Sequence, residues 1–263
     1  MSVVVVTGSS TGIGLATVVE LARSGHDVYA TMRDPARATE LEEIVRNEAL
    51  PVTIVSLDVD SDTSVGAAMD KVFAHHDGVD ALVNNAGVFV LGAVEDLPLD
   101  VFQQAMETNY LGALRCIKAV LPRMREARSG CIVNVSSLAG RFAVGGHASY
   151  TASKFALEAM SEALAQEVRG FGIRVAVVEP GVIRTPIFDK LRDPPQSEYP
   201  HEARLRASDA TDSALSPFVV ASVIREIIEG QSHQLRYPVP DGVIAFLKWR
   251  ASMTDEEWID LNA

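Results

Sequence analysis

Short β-branched runs alternate with longer stretches in which apolar residues recur every three or four positions, almost from one end of the chain to the other. Val3–Val6, Asp27–Ala30, Val52–Leu57, Ala81–Val83, Cys131–Val135 and Arg174–Val178 read as six strands, and Gln234–Tyr237 as a seventh. Residues 13–24, 36–48, 62–76, 99–125, 150–169 and 217–229 read as helices. Strands this apolar are covered on both faces, and strand-helix alternation requires parallel pairing through crossover helices. The pattern therefore predicts α/β architecture: a single-domain, doubly wound parallel sheet with helices on both faces. Two segments break the rhythm. Residues 186–216 hold Pro194, Pro195 and Pro200 among mixed charges and read as a substrate lid. After Pro238, the residues Val243, Ile244, Phe246, Leu247 and Trp249 form an apolar stripe on a short helix. That stripe suits core packing or a subunit contact, because it lacks the basic face of a membrane-surface helix.

Composition narrows the function classes. With 263 residues, 48% hydrophobic and 22% charged, the chain can bury one substantial core and carries no disordered signature. A net charge of -12 repels phosphate backbones, and no basic patch with interleaved aromatics offsets it, so nucleic acid is excluded as a partner. No apolar run approaches the roughly 18 residues of a spanning helix, and the first strand starts too close to Met1 for a cleavable leader. The expected location is the cytoplasm, away from membranes. Cys116 and Cys131 fall in apolar patterns and are expected as reduced, buried residues. His75 and His76, near a helix end, read as solvated. No His/Cys/Asp/Glu cluster has metal-ligand spacing, so no metal is expected.

The first strand runs directly into Thr7-Gly8-Ser9-Ser10-Thr11-Gly12-Ile13-Gly14 and then into an amphipathic helix. A helix amino end offers unpaired N–H groups and partial positive charge, and glycines at 8, 12 and 14 remove the side chains that would block an approaching pyrophosphate. The spacing differs from the general Gly-x-Gly-x-x-Gly fingerprint, and a tight strand-to-helix turn can require glycines for steric reasons alone. A second signal lies at Tyr150 and Lys154, four residues apart at the start of a helical pattern and so on one face. An ammonium beside a phenol favours the phenolate and lowers the phenol's pKa, as does the positive end of the helix. Such a pair also occurs by chance on helix surfaces.

Taken together, Thr-Gly-x-x-x-Gly-Ile-Gly at 7–14, Asn84-Asn85-Ala86-Gly87, Ser137, Tyr150-Thr-Ala-Ser-Lys154 and Pro180-Gly181 resemble the short-chain dehydrogenase/reductase family, in its order and spacing. Ala30-Thr-Met-Arg-Asp34 further resembles the hydroxysteroid and retinol dehydrogenase branch. The resemblance implies a Rossmann-type sheet. It also implies an oxidoreductase that moves a hydride between a nicotinamide and a carbonyl or alcohol, with Tyr150 as acid/base. Ser137 would orient the substrate oxygen; strand alternation lets only one of Ser136 and Ser137 face it, and the family spacing selects Ser137. Lys154 would bind the nicotinamide ribose and tune Tyr150. Asn109 matches the asparagine that holds a relay water, against the alternative of a buried Asn satisfied by backbone.

The implied cofactor wall comprises Gly8, Ser10, Thr11, Gly12, Ile13 and Gly14, then Asn84, Asn85, Ala86 and Gly87, with Pro180, Gly181, Ile183 and Thr185 at the nicotinamide end. Asp58 would accept from the adenine amino group with Val59 adding backbone contacts, although an exposed turn aspartate is an equal alternative. An NAD-selective site carries an acid after the second strand. The resemblance puts neutral Met32 there, followed by Arg33, whose guanidinium suits a 2′-phosphate. NADP(H) is therefore the preferred cofactor, with NAD(H) possible, because Asp34 follows and Thr11 stands where a second basic residue is common. Phe89, Val90, Leu91, Phe142, Val144, Ile187 and Phe188 flank the motifs as an apolar pocket or as core, and His147 is a candidate substrate contact. A non-catalytic NADP(H) sensor would keep the glycine loop but would not need Ser137, Tyr150 and Lys154 together. Small residues at Ala152, Ala156, Ala159, Ala163 and Ala165 permit helix-to-helix approach, so a homodimer or homotetramer is expected.

Overall fold

A computed structural model of the chain describes residues 1–187, 198–199 and 214–262. In order the elements are β1 (Val3–Thr7), α1 (Gly12–Arg23), β2 (Asp27–Met32), α2 (Thr39–Glu48), β3 (Val52–Ser56), α3 (Asp62–Phe73), β4 (Ala81–Asn84), α4 (Leu99–Met106), α5 (Gly112–Ala127), β5 (Gly130–Val135), α6 (Ala148–Val168), β6 (Ile173–Pro180), α7 (Pro217–Glu229), β7 (Arg236–Val239), α8 (Gly242–Ala251) and α9 (Asp255–Asn262). All seven strands run parallel in the order β3-β2-β1-β4-β5-β6-β7. After β3 the chain returns to the far side of β1, so a crevice opens at the carboxyl ends of β1 and β4, where ligands bind in open α/β sheets.

The strand alternation supplies two cores. Val4 and Val6 face one, with Val18 and Leu21 of α1 and Ile224 of α7. Val5 faces the other, with Val65 and Met69 of α3 and Cys116 and Ile117 of α5. Each such side chain, removed fully from water, contributes about 1.5–3 kcal/mol. Both cysteines are free and buried, and burial pushes their thiols up, Cys116 to about 12 and Cys131 to about 11. No helix among the described residues is long and apolar enough to cross a membrane.

Local chemistry explains several boundaries. Ser61 starts α3 by accepting from Ser64 N at 3.2 Å, and Ser216 starts α7 by accepting from Phe218 N at 3.3 Å, with Pro217 in the first turn. The helix expected over 99–125 is instead interrupted by a π turn at Glu107–Leu111, where Asn109 turns inward. β2 extends to Met32, and β7 sits two residues later than its expected span. The terminal stripe divides between uses: Val243 is buried, Phe246 packs on Phe142 at 4.9 Å, and Ile244 and Trp249 are exposed. His76 is not solvated as expected; it pairs with Asp27 at 3.1 Å and meets the Tyr29 ring edge-on. The lid expected over 186–216 lies, apart from its edges, outside the described residues, as does Phe188.

Candidate active site

A cavity of 780 Å³ runs along the carboxyl ends of the central strands. Its floor begins at the glycine loop. Gly8 has φ +69° and its α-carbon faces the Ala86 backbone so closely that a Cβ would lie 2.8 Å from Ala86 Cα. A Cβ on Gly14 would lie 2.3 Å from the Gly8 carbonyl oxygen, so Gly14 lets α1 close against the loop, and it does not line the cavity. Thr11, at the N-cap of α1, makes no side-chain cap bond, and the first turn carries no acid. The helix therefore presents uncapped N–H groups to the cavity, which fits an anionic pyrophosphate.

The strand ends beside the loop are stitched together. Thr7 Oγ1 accepts from the backbone N–H groups of Asn85 and Ala86 at 3.0 and 3.1 Å, and Asn85 Nδ2 donates to the Thr7 and Gly8 carbonyls at 2.9 and 3.1 Å. The Asn85 side chain thus braces the loop, and Asn85, Ala86 and Gly87 all line the cavity. Asn84, expected in that wall, points elsewhere: it is buried, donates to Asn134 Oδ1 at 2.8 Å and does not line the cavity. The physical reason is strand alternation, which turns neighbouring side chains to opposite faces.

At the β2 end of the cavity, Arg33 is exposed at the strand tip, next to buried Met32. Asp34, the acid that would oppose a phosphate, is held in its own turn. It accepts from Ala36 N at 3.1 Å and lies 3.6 Å from Arg37. Arg37 also lines the cavity, a second basic residue that the sequence reading passed over, and its signal was the four-residue spacing from Arg33. Asp58 lines the cavity while accepting from Asp60 N at 3.2 Å, and the Val59 carbonyl already accepts from Arg115 at 3.2 Å. Asp60 was also missed. One of its carboxylate oxygens accepts from Thr108 at 3.0 Å and Gln104 at 3.2 Å, and the other is buried without a partner. Burial pushes its carboxyl up, partly opposed by the Thr108 bond.

Ser137, Tyr150 and Lys154 meet at the other end. Ser137 ends β5 in extended conformation and Tyr150 lies in the first turn of α6. Lys154, one turn on and buried, donates to the Val135 carbonyl at 2.9 Å, with its ammonium 5.6 Å from the centre of the Tyr150 ring. Burial pushes the Tyr150 hydroxyl up to about 12, with hydrogen bonding to Ser137 opposing, and pushes Lys154 down to about 8, with Glu158 opposing. Desolvation dominates at Tyr150, whose hydroxyl rises although a lowering by Lys154 was expected. Ser136, set aside in favour of Ser137, is buried and bonds to Glu158, but it also lines the cavity.

Asn109 lies behind these groups and off the cavity lining. It accepts from Val88 N at 2.7 Å and donates to the Val88 carbonyl at 3.0 Å and to Ser153 Oγ at 2.8 Å. Both amide N–H donors are used, so the side chain clamps the strand end that leads to Phe89; the relay-water role does not rest on its donors. Phe89 packs on the Tyr150 ring at 4.6 Å, and with Val90, Phe142, Val144, His147 and Ile187 it lines the apolar side of the cavity. Leu91 is core. Thr185 lines the cavity against Gly12, with Pro180, Gly181 and Ile183 alongside.

Known proteins share this layout. The profile described as short chain dehydrogenase matches residues 2–196. Oxidoreductase BOA17 of Botryotinia fuckeliana is 34% identical across 98% of this chain and 96% of its own, and retinol dehydrogenase 8 of Bos taurus is 39% identical across 89% and 80%. A crystal structure of a short-chain dehydrogenase from Streptomyces avermitilis superposes with a TM-score of 0.85 at 32% identity, covering 95% of this chain and 92% of that one.

Proposed function

Because the chain belongs to the short-chain dehydrogenase family of oxidoreductases, we propose that it interconverts a carbonyl and an alcohol with NADP(H), using Tyr150 as the acid and base. What carries the reading is one cavity with an anion-ready helix end and two arginines at one side and Ser137, Tyr150 and Lys154 at the other. The nicotinamide dinucleotide, when bound, supplies or takes up the hydride. Ser137 donates to the substrate oxygen and fixes its position. Tyr150, pushed up to about 12, is protonated at neutral pH and so is an acid ready to protonate that oxygen during reduction. Lys154 serves the nicotinamide ribose and, as a nearby cation, stabilises the phenolate that Tyr150 becomes on giving up its proton.

The preference for NADP(H) rests on Arg33 and Arg37 flanking a position where buried Met32 offers no ribose acceptor, while Asp34 is occupied by its own turn. The aromatic and aliphatic lining supports an apolar substrate. The likeness to a retinol dehydrogenase fits that reading. A screen of apolar ketones, aldehydes and alcohols with both cofactors, followed at the absorbance of reduced nicotinamide, tests it. Turnover faster with NADPH than with NADH is the expected result. Tight dinucleotide binding without turnover of any carbonyl or alcohol would replace the reading with a dinucleotide sensor.

A further inference from the structure

Behind Lys154, between α6 and β6, lies a polar cluster that the proposed reaction does not use. Glu158 is 4% exposed and Glu179 is 0% exposed. Arg236 of β7 reaches both, 3.0 Å from Glu158 Oε2 and 3.6 Å from Glu179 Oε1, and Arg141, in the segment after β5, holds Glu179 at 2.8 Å. Glu162, on the solvent side, takes the other arm of Arg236 at 2.7 Å. Ser136 bonds to Glu158, but Glu179 Oε2 is left buried without a partner. Gly140 caps the cluster, since a Cβ there would stand 2.7 Å from Ser136 Oγ and 2.9 Å from Glu158 Cγ. An orphaned buried oxygen is costly, and ion pairing alone does not account for an arrangement that keeps it.

Helix geometry links the cluster to the active site. Tyr150, Lys154 and Glu158 follow one another at four-residue spacing along one face of α6, and both Lys154 and Glu158 are buried. The Lys154 ammonium is bound to the Val135 carbonyl, one residue before Ser136 at the edge of the cluster. We propose that Glu158 is a positioning residue for the active-site lysine: its carboxylate, seated with Glu179 and Ser136, holds Lys154 in the ammonium form in which it serves Tyr150. The inference rests on the oxidoreductase reading for what Lys154 does, but not for what Glu158 does to Lys154.

The charges facing the pair set the direction of each effect. Burial lowers Lys154 and Glu158 opposes that fall. Glu158 is itself raised, first by burial and also by Glu179, while Ser136 and Arg236 lower it. Arg141 neutralises part of Glu179, and Glu162 draws on Arg236 from outside. Removing the Glu158 charge should therefore lower the Lys154 midpoint, and removing the Glu179 charge should raise it by letting Glu158 ionise more readily.

The test is a pH titration of the full chain labelled with 15N-lysine, without added nucleotide, following the Lys154 side-chain resonance assigned by its loss in Lys154→Arg. The unmutated protein should titrate near pH 8. Glu158→Gln should move the midpoint down by about one pH unit, Glu179→Gln should move it up, and Glu162→Gln should leave it in place. A Glu158→Gln protein that melts earlier but keeps the midpoint reduces Glu158 to a packing role and overturns the proposal. If Glu158→Gln does not fold, Glu179→Gln decides alone, and an unchanged or lowered midpoint overturns it. Because no turnover is read, absence of dehydrogenase activity would strike the proposed function and leave this inference standing.

Discussion

At the residue scale, Tyr150→Phe deletes the proton donor while keeping the ring that packs on Phe89. Turnover should fall at least a thousandfold, with nucleotide affinity within about twofold by fluorescence titration. Retained turnover would remove Tyr150 from the chemistry. Lys154 carries a stability consequence whose sign follows from its lowered midpoint. Below about pH 8 both folded and unfolded states hold the proton, and the cost of burying the ammonium is fully present. Between about 8 and the unfolded value near 10.5 only the unfolded state is protonated, so stability climbs with pH. Lys154→Met should therefore stabilise the fold by about 1–2 kcal/mol at pH 7 and by less at pH 10, the loss of the Val135 bond offsetting part of the gain; urea melts at both values measure this. Arg33→Ala should erase most of a roughly ten- to hundredfold NADPH preference, the margin one arginine-phosphate contact provides, and Met32→Asp should reverse it, as read from kcat/KM with both cofactors. Ser137, Tyr150 and Lys154 were legible in the sequence because their spacing is fixed along one helix and one strand end. The upward push on Tyr150 and the bracing role of Asn85 were not, because burial and facing direction depend on what packs above them.

At the element scale, the strands were legible because β-branched runs buried on both faces leave few alternatives, and the helices because their apolar faces repeat. The π turn in the middle of the 99–125 segment was invisible, since it arises from a tertiary bond between Asn109 and the Val88 backbone rather than from any local breaker. The glycine turn makes a separate prediction. At Gly8 an alanine would adopt a left-handed backbone at a cost of about 1–2 kcal/mol and would also push against Ala86, so β1 and β4 would separate at their carboxyl ends. Gly8→Ala should lower the melting temperature and weaken dinucleotide binding more than tenfold. Gly66→Ala, on α3 with nothing within 4 Å of an added Cβ, should do neither and is the matched control. The tail was only half legible: its stripe was evident, but the Trp258 indole that donates to the Ala143 carbonyl at 2.7 Å comes from a further helix that ties the tail to the loop lining the substrate side.

At the scale of the whole molecule, Phe155 is 44% exposed on α6, beside exposed Ala152 and Ala159, which leaves a flat, weakly polar helix face. Association of two copies through this face predicts a dimer or larger assembly by light scattering at micromolar concentration, and Ala159→Arg should shift the mass to that of one chain; a single-chain mass for the unmutated protein refutes it. The strand order, finally, bears on how the molecule comes into being. β1, β2 and β3 follow one another along the chain, but the stitches from Thr7 to Asn85 and Ala86 span 78 and 79 residues, and β4 is the strand that joins β1 to β5. Closing so long a loop is entropically slow, so the crevice should be among the later features to gain protection when refolding is followed by pulsed amide exchange, well after the β1–β2 ladder. A nascent chain stalled before β4 would hold a phosphate loop with no wall opposite it, unable to grip a nucleotide until the second half of the sheet arrives.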